Sequence, residues 1–389
     1  MNSGAVGARF TGAAAYSGAI YWVLLGLALG VLSACGSGPL RAPVATQRPA
    51  AVVQRDVAGV VDHPHSRWVS ADWAELPGFD EDSLFEAWNA WLKSCERPVP
   101  PFTVLCGEVR QRSIADPQEQ RAWLQERLQP FRVESSQGES SGLLTGYFEP
   151  MLEASRVPVA GFAVPLYGPP ATLAQRKPWF TRQEIDTLPE AQAALQGKAI
   201  AYLASPIDAL VLQIQGSGRL HLAQTDGSYR WVRLAFAGTN EQPYRSVGRW
   251  LLDQGLVRDA SWPGIKAWLA QNPQRQQELL WSNPRMVFFR EEVIADMDAA
   301  GGPRGAQGVA LTPGRSIAVD PLSIPYGTPV WLSSPGPLTS LRKLVLAQDT
   351  GSAITGAVRA DYFTGWGNEA ADLAGRLRQS LQMWALWPK

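Results

Sequence analysis

The chain has 389 residues, a length that suits two or three domains. Apolar residues make up 46% and charged residues 18%, which fits a globular protein with a sizeable core. Lys plus Arg and Asp plus Glu both number 35, so no basic surplus exists to neutralise phosphates, which argues against nucleic acid as a partner.

Arg9 precedes an apolar run from Ala19 to Ala34 that ends in small residues. That length and ending read as a secretory signal over residues 1–34, not a spanning helix. Leu32-Ser33-Ala34-Cys35 resembles the lipobox of bacterial lipoproteins, in which the Cys becomes the lipidated first residue. The resemblance implies lipidation at Cys35, and Gly36 after it favours the outer membrane. A plain signal peptide with a coincidental Cys is the alternative. Residues 35–66, rich in Pro, Ala, Val and Gly without a clear period, read as a tether.

Residues 67–145 carry helical signals. Leu84, Trp88, Trp91, Leu92 and Cys95 recur on one helical face. Asp116-Pro117 reads as an N-cap followed by a first-turn proline, with Trp123, Leu124 and Leu128 inside. In an oxidising compartment, Cys95 and Cys106 are close enough in sequence for a disulfide, with two buried free thiols as the alternative.

From Leu143 short β-rich runs dominate: Leu143 to Phe148, Ala199 to Leu203, Ala209 to Gln215, Arg219 to Leu222 and Tyr229 to Phe236. Asp226-Gly227 predicts a hairpin. One helix is predicted over Thr181 to Leu195, where Thr181 and Glu184 have capping-box spacing. Further helices are predicted from Pro243 to Gln254, stopped by Gly255, and after Asn272-Pro273. Val287 to Phe289, Arg315 to Val319, Pro329 to Leu332 and Leu344 to Gln348 then suggest a compact β-barrel.

Chemistry narrows by elimination. The three histidines are His63, His65 and His221, the first two at the tether's edge. No His-Glu-x-x-His and no nucleophile elbow occurs. Carboxylates remain. An apolar strand delivers Asp349 into a Gly-containing turn, and a second acid, Asp361, sits beside Tyr362 and Phe363. Asp320 ends another apolar strand. Single acids at strand ends are often turn-formers. Two flanking one Gly-rich segment, with aromatics alongside, point to a site.

That segment resembles the 3D domain, named for three aspartates, of the membrane-bound lytic transglycosylase A family; Asp320, Asp349 and Asp361 would be the three. Gly146 to Pro150, Gln213 to Gly218, Asn283 to Arg285 and Pro325 to Val330 look like motifs of the same family in the same order. The resemblance implies a mainly β fold with N-terminal helices. A double-psi β-barrel over residues 284–389 would face an inserted β domain over residues 146–283, with a glycan groove between them. It implies cleavage of the β-1,4 bond between N-acetylmuramic acid and N-acetylglucosamine, with the C6 hydroxyl attacking its own anomeric carbon to give a 1,6-anhydro end. Asp361 would act as acid and then base, without a cofactor or metal, on peptidoglycan strands in the periplasm. Asp349 would tune Asp361 or hold the barrel together, and Asp320 would be structural. Gln215 and Ser217 match groove residues; Gly216 and Gly218 would let the backbone approach the sugar, and Tyr147 would stack on it or serve the core. Envelope synthesis or hydrolysis enzymes are possible partners. Two alternatives stay open: a non-catalytic peptidoglycan-binding lipoprotein, and a hydrolase using Asp349 and Asp361 as a pair.

Overall fold

A computed structural model describes residues 55–56, 59–294 and 301–389. The signal run, Cys35 and most of the tether lie outside the described residues. Among the described residues no helix is long and apolar enough to cross a membrane.

Three short strands, β1 (Arg55–Asp56), β2 (Val60–His63) and β3 (Ser66–Ser70), form an antiparallel ribbon. The tether therefore ends earlier than expected: Val60 and Val61 register with Val69 and Trp68, which gives them apolar cross-strand partners. Helices α1 (Phe85–Ser94), α2 (Cys106–Gln111) and α3 (Pro117–Arg127) follow. Asp116 caps α3 through a bond from the Glu119 amide, with Pro117 in the first turn. Cys95 and Cys106 are joined in a disulfide.

Strands β4 (Leu128–Glu134) and β5 (Gly142–Glu149) come next, and the chain then crosses into a second sheet. That sheet holds β6 (Met151–Ser155), β7 (Val164–Tyr167), β8 (Ala199–Leu203), β9 (Gly218–Ala223), β10 (Tyr229–Thr239) and β11 (Val287–Val293). The Asp226-Gly227 hairpin joins β9 to β10, with Gly227 at φ +84°. Between the strands lie α4 (Arg182–Thr187), α5 (Pro189–Leu195), α6 (Pro206–Gln215), α7 (Val247–Asp253), α8 (Trp262–Gln271) and α9 (Gln276–Trp281).

The chain returns through β12 (Ser316–Val319), β13 (Pro329–Ser334), β14 (Leu341–Asp349), β15 (Arg359–Trp366), α10 (Gly367–Arg376) and β16 (Arg378–Pro388). Strands run β16-β13-β14-β12-β15-β5, and β5 also pairs with β16, so the ring closes. Val330, Leu332, Val345, Ala360 and Tyr362 fill its interior. Trp331, Leu344 and Leu346 alternate with them and face outward, onto Trp88, Trp91 and Trp123 of the helices. Burial on both faces is why these strands read as continuous apolar runs.

Four expectations change. Ala209 to Gln215 is helical, not a strand: Ser205 caps α6, Pro206 sits in its first turn, and Gly216 ends it at φ +80°. Its apolar run is buried on several sides, so period alone misleads. Val287 to Phe289 belongs to the second sheet, because β11 pairs with β10 and buries Val287 and Phe289 in that core. Gly146 to Glu149 belongs to the ring instead, through β5. The helix expected from Thr181 to Leu195 keeps its capping box but splits, because Pro189 starts a new helix.

Candidate active site

The ring's geometry brings the acids together. β12 lies between β14 and β15, and Ala318 registers with Asp349 on one side and Asp361 on the other. Two strand spacings put the two acids' backbones roughly 9–10 Å apart. Side chains alternate along β15, so Ala360 and Tyr362 enter the barrel core while Asp361 faces outward. Asp361 opens onto a groove of about 560 Å³.

One wall of the groove comes from the second sheet's helices: Gln215 ends α6, and Tyr244, Val247 and Trp262 follow. The loop Thr350 to Ile354 forms another side, and Thr145, Gly146, Tyr147 and Arg359 belong to the ring. Gly146 has no space for a side chain, since a Cβ would sit 2.8 Å from Ala374 Cα.

Asp361 is held by its neighbours. The parallel pairing of β15 with β5 sets it opposite Thr145. The Thr145 hydroxyl donates to Asp361 Oδ1 at 2.5 Å and itself accepts from the Arg359 guanidinium at 2.8 Å. With its lone pair engaged by Arg359, the hydroxyl proton is directed at the carboxyl. Burial holds the Asp361 carboxyl above the ordinary carboxylate range, against the pull of Thr145 and Arg359. Tyr362 does not contribute to that burial from the groove side; its ring lies in the barrel and its hydroxyl donates to Gly314 O. Phe363 shares the outward face and packs on Tyr147, ring centroids 5.3 Å apart.

Asp349 is more heavily tied. It accepts from the Tyr147 hydroxyl at 2.9 Å and from the Ala306 amide at 2.9 Å. Burial pushes its carboxyl up to about 6, with the Asp361 charge adding to the rise. Burial and Asp349 together push the Tyr147 phenol well above its ordinary value, so Tyr147 remains a donor. Asp320 stands apart from the groove. Its carboxyl accepts from the Gly356 and Leu322 amides and meets His65 Nδ1 at 2.7 Å. Burial alone would raise it, but these bonds bring it below the ordinary value. Asp320 thereby fastens Gly356, just past the groove loop.

The Gln213 to Gly218 motif divides. Gln215 reaches the groove and accepts from the Phe148 amide at 3.0 Å. Gln213 is buried and accepts from Arg182. Gly216 ends α6 in a left-handed conformation, and Ser217 is buried. Gly218 packs on α6, where a Cβ would meet Leu212 Cδ1 at 2.2 Å. Sequence reasoning passed over Thr145, Arg359 and Tyr244. Thr145 and Arg359 gain meaning only when two strands 216 residues apart pair. Among the described residues no cluster of His, Cys, Asp and Glu could hold a metal ion.

A closed barrel beside a second sheet, with a groove that runs over a buried carboxyl raised above its ordinary range, has the form of a glycan-processing enzyme. Residues 143–290 match the MltA specific insert domain, and residues 315–387 match the 3D domain. The membrane-bound lytic murein transglycosylase A of Vibrio cholerae is 32% identical over 276 residues, 67% of this chain and 70% of that protein. The structure of the lytic transglycosylase LtgG of Burkholderia pseudomallei is similar at 40% identity and a TM-score of 0.58, covering 87% of this chain and all of that one. MltA from Neisseria gonorrhoeae matches at 29% identity and a TM-score of 0.70, covering 88% and 97% of the two chains. The chain belongs to the membrane-bound lytic murein transglycosylase A family and is a peptidoglycan lytic transglycosylase.

Proposed function

We propose that Asp361 alone performs the proton transfers and that the products carry 1,6-anhydro-N-acetylmuramic acid ends. The observation that carries this reading is the state of Asp361: open to the groove, raised by burial, and held at Oδ1 by Thr145 so that Oδ2 is left for substrate. A neutral carboxyl protonates the glycosidic oxygen as the bond breaks. The carboxylate left behind then takes the proton from the C6 hydroxyl as that oxygen closes on its own anomeric carbon. No water is consumed and Asp361 ends protonated again.

Asp349 lines the same groove and supports this chemistry from beside Asp361. Bonds from Tyr147 and Ala306 occupy its oxygens, which suits tuning and bracing better than attack. Asp320 braces the loop past Gly356. Gln215 and Tyr147 both line the groove, and the Gln215 amide suits the hydroxyl and acetamido groups of a sugar. The relatives' membrane-bound name and the Cys35 lipobox support a lipid anchor in the outer membrane, facing the periplasm, with other envelope enzymes as neighbours.

The test is digestion of purified peptidoglycan by the unlipidated protein, with mass analysis of the fragments. Anhydro ends support the reading. Reducing ends would assign a hydrolase using Asp349 and Asp361, and no cleavage would leave a binding protein. Asp361→Asn should lose at least about a thousandfold in turnover while keeping fold and glycan binding. Substantial residual cleavage would sink the assignment.

A further inference from the structure

Trp262 lines two cavities. One is the groove over Asp361; the other, about 630 Å³, lies between α6, α8 and α10. We infer that this second cavity receives the peptide substituent of the glycan strand, an inference that rests on the glycan reading above.

Three observations lead there. The first is adjacency: Trp262 lines both cavities, which sets the second beside the groove, within reach of a branch leaving a sugar there. Each muramic acid carries a short peptide on its lactyl group, and a strand lying in the groove must send that peptide sideways. The second is the open wall. α10 presents Gly367, Ala371 and Gly375 to the cavity at four-residue spacing, which places them on one helical face. A Cβ at Gly375 would meet nothing within 4 Å, and its φ is not in the left-handed region. Neither packing nor backbone conformation calls for glycine there; its effect is to keep the cavity wide.

The third is the match of surfaces. Phe148, Met151 and Val211 supply apolar walls that suit alanine side chains. The rim carries both signs, with Lys266 bonded to Asp208, Arg376 paired with Asp372, and Asp259 beside them. Such a rim suits a ligand bearing both carboxylates and an ammonium group, as a peptidoglycan peptide does. The amide and hydroxyl groups of the sugar rings would have no use for it.

The experiment compares two substrates: glycan strands with their peptides, and the same strands stripped by an amidase. The readout is the ratio of kcat/KM between them. Gly375→Leu fills the cavity and should lower that ratio roughly tenfold, the scale set by a blocked apolar contact. Lys266→Gln, a surface change that leaves the fold safe if Gly375→Leu misfolds, should raise KM for the peptide-bearing strands alone. An unchanged ratio in both variants would overturn the inference, whether the cavity is then vacant or takes a protein partner. Wild type cleaving neither substrate would overturn the glycan reading itself; wild type cleaving both, with ratios unmoved, would overturn the peptide pocket only.

Discussion

Thr145→Val tests whether a neutral hydroxyl, polarised by Arg359, restrains the rise that burial imposes on the Asp361 carboxyl. Valine keeps the shape and the β-branched fit to strand β5 but removes the donor. The lost bond, 2.5 Å long and made to an ionisable group, favours the carboxylate over the acid. Bonds to charged groups contribute about 1.5–3 kcal/mol. With that stabilisation of the anion gone, the midpoint of Asp361 should rise. The sign follows from the linkage: without the donor the anion is less favoured, so the acid form persists to higher pH. Initial rates of anhydro-end formation, followed from pH 4 to 9, should show the falling limb displaced upward. Maximum turnover should also drop, because Oδ1 is no longer fixed. Thr145→Ser should restore the wild-type profile, since it returns the hydroxyl. A profile that stays in place, or moves to lower pH, would refute the argument.

Three further outcomes follow from the same structure. Asp349→Asn should flatten the dependence of stability on pH: its folded carboxyl sits at about 6 against 3.8 in a free chain, so its contribution is fully present below pH 3.8 and lost as pH rises through 6, by about 2–3 kcal/mol, which denaturant titrations at pH 4 and 7 will measure. Replacing Cys95 and Cys106 by Ser, which opens a link between residues 11 apart, should lower unfolding free energy by about 2–4 kcal/mol while turnover of the folded fraction holds. Gly216→Ala, at φ +80°, should cost about 1–2 kcal/mol in stability, read from the denaturation midpoint, because an L side chain resists that conformation; a far larger loss in glycan affinity than in stability would show that Gly216 serves the sugar instead.

How much of this was legible in the chain depends on how local each signal is. Asp116-Pro117, the Thr181 and Glu184 capping box and the Asp226-Gly227 hairpin were readable because each is a bond between near neighbours. Ala209 to Gln215 misled because an apolar run buried on several sides has lost the period that separates helix from strand. Val287 to Phe289 misled because sheet membership is set by a partner, β10, that lies some fifty residues earlier. The acids Asp349 and Asp361 were visible as residues, but the strand between them, with Ala318 at its register point, was not. Tyr362 looked like a neighbour of Asp361 because it is adjacent in sequence; alternation along β15 sends it to the other face. Thr145 and Arg359 carried no local signal at all.

The ring is completed by β5 meeting both β15 and β16. Thr145 and Asp361 stand 216 residues apart, and a growing or partly threaded chain that has not yet delivered β15 and β16 cannot join them. Closure of the ring is thus a timer. An enzyme able to cut the wall that encloses the cell therefore sets Asp361 against Thr145 only when nearly all of its own folding is behind it.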